Sequence, residues 1–251
     1  TVLAAYARQP DPKKAQELLD LFYELYLSGR LDESAKPDNQ SYAIVMSAWA
    51  KSKFPDKTQR ARRLLETMIS KYESGEADVK PNVVAFTTVL NAAGYSPKDS
   101  INGGDSDDEF GAVADVGDVY SIAMQTYEEM LNDSLDLGLK VDSFVFAAML
   151  RVVSMHTDAA SVERRHFLQQ VFDDACHKGH VSAMVIRELR RVCPDSELMG
   201  RLLRSRKFAD SLGSVNQLPR EWTKNVPRQP KYRLVDDKAY GNSKSRTKMN
   251  A

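Results

Sequence analysis

Apolar residues recur at spacings of three and four along most of the chain, the pattern of helices that each bury one face. Three segments open alike, at residues 36–46 (Lys-Pro-Asp-Asn-Gln-Ser-Tyr-Ala-Ile-Val-Met), 80–90 (Lys-Pro-Asn-Val-Val-Ala-Phe-Thr-Thr-Val-Leu) and 140–150 (Lys-Val-Asp-Ser-Phe-Val-Phe-Ala-Ala-Met-Leu). Proline fixes φ and lacks an N–H, so it belongs just outside a helix start. Asp38, Asn82 and Asp142 follow, where a side-chain oxygen can accept from free backbone N–H groups. An aromatic residue comes four positions later, and an apolar run follows. Each opening therefore predicts the start of a helix.

A second helix is predicted after each first one. Its mark is an alanine, an apolar pair three and four residues on, and Met or Phe at the seventh: Ala61, Leu64, Leu65, Met68; Ala123, Thr126, Tyr127, Met130; Ala15, Leu18, Leu19, Phe22. Leu168, Val171, Phe172 and Ala175 repeat it weakly. Gly29, Gly75, Gly138 and Gly179 stand near the ends of these second helices, as C-terminal caps should. The chain thus reads as an all-α array over residues 1–213, with units 1–38, 39–82, 83–142, 143–183 and a degenerate 184–213. Stacked hairpins of this kind bury a continuous core, which predicts an α-solenoid. Residues 96–118 form an acidic, Gly- and Ser-rich insert in the third unit, predicted to be a surface loop. Residues 214–251 are predicted as a basic, capping and disordered tail, with Trp222 docking back onto the last helices.

Charge and cysteine usage narrow the function classes. The 251 residues carry 35 basic and 35 acidic side chains, but from position 187 onward the balance is sixteen to seven. A basic end is a candidate polyanion contact. Two cysteines cannot form a disulfide framework and suit a reducing compartment. No apolar run approaches the ~18 residues of a membrane span. Cys176, His177, His180 and Cys193 match no standard zinc spacing, so buried thiols are expected there. His156 and His166 flank Asp158 without a nucleophile beside them. Asp105, Asp107 and Glu109 have part of a calcium-loop spacing, but Phe110 and Val116 replace the required Gly and Glu. Gly103-Gly104 lies in an acidic segment that repels phosphate. No catalytic set, cofactor site or metal site is expected, and the chain does not read as an enzyme.

The Lys-Pro-Asp/Asn junction, the following aromatic residue and the Ala…Leu-Leu…Met second helix together resemble the pentatricopeptide repeat family over residues 1–183. The resemblance implies a right-handed α-solenoid that binds single-stranded RNA, one base per repeat. It also implies work in RNA processing, stability or translation in mitochondria or plastids. The base-reading pairs it implies are the fifth and last residues of a unit: Ala43 with Asn82, Thr87 with Asp142, and Ala147 with Ala183. Thr87 with Asp142 is a pair that favours guanine. Second positions clamp bases, which singles out Gln40, Val84 and Phe144. Basic residues at the thirteenth position, Arg8 and Lys51, are implied phosphate contacts. The alternative expectation is a helical scaffold for protein partners, favoured by the zero net charge and by alanines at two reading positions.

Overall fold

The computed structural model describes residues 11–96, 118–193, 196–203 and 215–227. Among them the chain is all-helical, with no strand. The helices are α1 (Pro12–Leu27), α2 (Asn39–Lys51), α3 (Lys57–Glu73), α4 (Val83–Gly94), α5 (Val119–Asn132), α6 (Ser143–His156), α7 (Val162–His177), α8 (Ala183–Val192), α9 (Ser196–Leu202) and α10 (Arg220–Thr223).

The expected starts are made by side chains. Asp38 accepts from the Ser41 amide, and Asn82 Oδ1 from those of Val84 and Ala85. Asp142 Oδ1 accepts from Phe144 and Val145. Ser182 caps α8 in the same way, through the Val185 amide. The equivalent last residue of the fourth unit is therefore Ser182, one position before the expected Ala183, which is the first residue of α8. The slip arises because this junction lacks the Lys-Pro-Asp/Asn signature and is capped by a serine instead. The second helices stop as expected: Gly29, Gly75, Gly138 and Gly179 all have positive φ. Gly29 has open space around it. Gly29→Ala is therefore expected to cost about 1 kcal/mol through backbone strain alone. Urea unfolding checks this: the midpoint should fall with the slope unchanged.

First helices pack in series, α2 on α4, α4 on α6 and α6 on α8. Behind them α1 lies on α2, α3 on α2 and α4, α5 on α4 and α6, and α7 on α6. This is a repeat-like, two-layer arrangement of helical hairpins. Its continuous core contains Trp49, Phe86, Leu90, Phe146, Leu150 and Phe172, all with almost no solvent exposure. Alanines 15, 61 and 123 are fully buried, as close approach within a hairpin requires.

Polar residues lock the second layer. The Arg62 guanidinium of α3 makes two hydrogen bonds to the Glu129 carboxylate of α5, at 2.7 and 2.8 Å, and a third to Thr126. Tyr127 of α5 donates to Asp174 of α7 at 3.0 Å. Burial first, and then Asp174, push the Tyr127 phenol well above its ordinary pKa, so it remains a donor.

Both ends of the acidic insert are fixed. Ser96 is fully buried and bonds to Thr58, so it is part of the fold rather than of a surface loop. Asp118 caps α5 through the Ser121 amide. Asp105, Asp107 and Glu109 lie outside the described residues. The chain's later turn over residues 215–227 packs on α7, so this part of the expected disordered tail is ordered as a cap. Trp222 is buried edge-on against Phe172, with ring centroids 5.7 Å apart. Its carbonyl accepts from Val181, and Asn225 bonds to the carbonyls of Lys178 and Gly179.

Candidate functional site

The expected second-position residues fall on the outer face of the first helices. Helix starts set by Asp38, Asn82 and Asp142 place Gln40, Val84 and Phe144 at the same register in α2, α4 and α6. All three are exposed, and Val84 and Phe144 are each 58% accessible. Val84 and Phe144 thus put two large apolar groups in equivalent exposed places on neighbouring first helices. At the far end of the same helices stand Lys51, Tyr95 and Met155, again exposed. Arg8 lies outside the described residues.

The fifth positions differ. Ala147 is 2% exposed and Thr87 is 7% exposed, while Ala43 is half-buried. The Thr87 hydroxyl donates to the Val83 carbonyl at 2.6 Å, which leaves only its oxygen lone pair to offer outward. Asn82 keeps its amide NH2 free of the cap, because the cap uses Oδ1 alone. Asp142 likewise spends one oxygen on two backbone amides. Burial holds the His180 pKa below its ordinary value, against the smaller opposing pull of Asp142. Ala183 is exposed on the first turn of α8.

A polar chain not foreseen in the sequence runs between these two rows. Arg151 of α6 donates to Asn91 of α4 at 3.2 Å and to Glu188 of α8 at 3.3 Å. Arg191 completes it through Glu188. The Arg151 guanidinium also lies 4.4 Å from the centroid of the Tyr95 ring, a cation–π contact. The available signal was the ninth place of the units starting at 83 and 143, where Asn91 and Arg151 stand in largely apolar helices.

Cys176 and Cys193 are buried thiols. His180 stacks on Phe146, and His156 Nε2 contacts the Ala93 carbonyl. Among the described residues, no group of three or more His, Cys, Asp or Glu is placed to hold a metal ion. Nor is any described helix long and apolar enough to cross a membrane. Comparison with family models, with curated proteins and with solved structures finds no match to this chain.

Proposed function

We propose that the hairpins form a right-handed α-solenoid of pentatricopeptide type whose first-helix face binds single-stranded RNA. The observation that carries this reading is the repeated exposure of Val84 and Phe144 at the second residue of α4 and α6. Apolar and planar groups so placed can hold a base between them, and stacking contributes about 1–3 kcal/mol per base. In the Thr87–Asp142 pair, Thr87 is 7% exposed, and the acceptor offered to the N–H donors of guanine is the Asp142 oxygen that the helix cap leaves free. Lys51 supplies a charge for phosphate, and the basic end from Arg187 onward supplies more. The setting proposed with this reading is RNA processing, stability or translation in mitochondria or plastids.

Fluorescence anisotropy with short single-stranded RNAs at about 50 mM salt tests the reading. Val84→Ala with Phe144→Ala is expected to weaken binding roughly ten- to a hundredfold, while the fold is retained because both side chains are exposed. Varying guanine at one position is expected to change affinity in the parent and not in Asp142→Asn. If the parent chain binds no RNA under these conditions, the reading fails.

A second reading, a scaffold for a protein partner, is favoured by the zero net charge and by Ala43 and Ala147 at reading positions. A partner that stays bound after nuclease treatment supports it over RNA.

A further inference from the structure

The second helices meet in successive seams, and the sequence marks allow those seams to be compared place by place. Counting six residues on from the alanine mark gives Thr67 in α3 and Glu129 in α5. The same count from Leu168 gives Asp174 in α7. Glu129 and Asp174 each receive a donor from the preceding second helix, Arg62 and Tyr127 respectively. The carboxylate is thus the element that closes the α3–α5 and α5–α7 seams. In the α1–α3 seam that place holds Thr67, and the place of Arg62 holds Gln16. Neither is long enough to bridge, and the seam opens into a cavity of about 330 Å³ lined by both.

The donors expected around a carboxylate are nevertheless present. Arg63 lines the cavity, and its guanidinium has no hydrogen-bond or ion-pair partner among the described residues. The Tyr42 hydroxyl on the cavity floor also lacks one. Burial, first, and the nearby Tyr23, Asp20 and Glu76 hold that phenol protonated, well above its ordinary pKa. The Gln16 amide accepts from Trp49 through its oxygen, which leaves its NH2 to donate. Lys71 stands at one end, 3.0 Å from the Tyr23 ring centroid and 3.6 Å from Glu76. Against these donors the lining holds one carboxyl, Asp20. Its own pKa is raised, by burial and then by Glu24, against the pull of Lys71. The volume falls at the lower end of small-molecule sites, and the few convergent polar groups are what such sites carry.

We infer that the α1–α3 seam is a binding site for a small oxyanion-bearing molecule, a carboxylate or phosphate compound, whose anionic group takes the place that Glu129 and Asp174 fill in the other seams. The anion sits between Arg63, Tyr42 and the Gln16 amide, and the rest of the molecule lies along Leu64 and Tyr23. The lining comes from α1 and α3 together with the buried Tyr42 of α2, and none of it is an exposed second-position residue, so the site does not rest on the RNA reading.

Thermal unfolding and calorimetric titration of the full chain, with inorganic phosphate and with citrate, test this against sodium chloride at matched ionic strength. The parent is expected to show one saturable site, with Tm raised by roughly 3–6 °C at tenfold excess over Kd. Arg63→Gln is expected to lose at least tenfold in affinity. Thr67→Glu installs the missing seam carboxylate, so its Tm without ligand should already exceed the parent's and the titration should be flat. RNA affinity should be unchanged in both variants. The inference is overturned if neither probe binds saturably, or if both variants bind as the parent does. It is also overturned if single-stranded RNA displaces phosphate from the site, which would make the seam part of a nucleic-acid track.

Discussion

Arg62→Ala is expected to remove about 3–5 kcal/mol of folding stability, the usual range when one partner of a buried ion pair is deleted. The Arg62 side chain is 5% exposed and that of Glu129 16% exposed, so little water can replace the lost partner. Burial alone would lower the Arg62 pKa, but its hydrogen bonds to Glu129 and Glu66 hold it above its ordinary value. Alanine leaves Glu129 with only its Gln125 contact and empties the space between α3 and α5. The double variant Arg62→Met with Glu129→Leu removes both charges and keeps the volume. It is expected to lose far less than the single variant, or nothing. Urea unfolding of the parent and both variants checks this. A double variant as weak as the single one would show that packing, not the stranded charge, sets the effect.

The second large effect is expected at Phe146. It is fully buried, meets Tyr127 edge-on at 6.4 Å and lies over His180 at 6.2 Å. Phe146→Ala removes the transfer contribution of a phenyl ring and leaves a cavity where α5, α6 and the α7–α8 junction meet, a loss of about 3–5 kcal/mol. For a chain of this size that corresponds to a fall in Tm of roughly 6–20 °C. Phe146→Leu keeps most of the volume and is expected to lose under about half as much. Removing the ring also lets water reach His180, so its pKa should rise toward the ordinary value, which the imidazole resonances would report. Equal losses for Ala and Leu would mean the site collapses around the smaller side chain.

The sequence made the helix ends readable because capping is local chemistry. Asp38, Asn82 and Asp142 act within three residues of themselves, and the capping glycines act within one turn. Trp222 was readable because a lone large aromatic between two prolines has nowhere to be buried but back on the array. The layer-locking pairs were not readable. Arg62 and Glu129 are 67 positions apart, and Arg151 and Glu188 are 37 apart. Their pairing depends on how one hairpin is rotated against the next, which periodicity does not encode. The same rotation decides that Thr87 and Ala147 sit almost wholly under the surface while Val84 and Phe144, three residues earlier, stand out from it. The second-position row was named by the resemblance rather than by the apolar pattern, and neither showed how deeply the fifth-position row is buried.

Backbone bonds from Val181 to Trp222 and from Asn225 to Gly179 tie together points about forty residues apart. α8 and α9 are bracketed in sequence by these two ties. In an open row of hairpins the outermost one peels away first, since it has a neighbour on one side only. Here the last hairpin cannot be pulled off from its end without first releasing the Trp222 clasp.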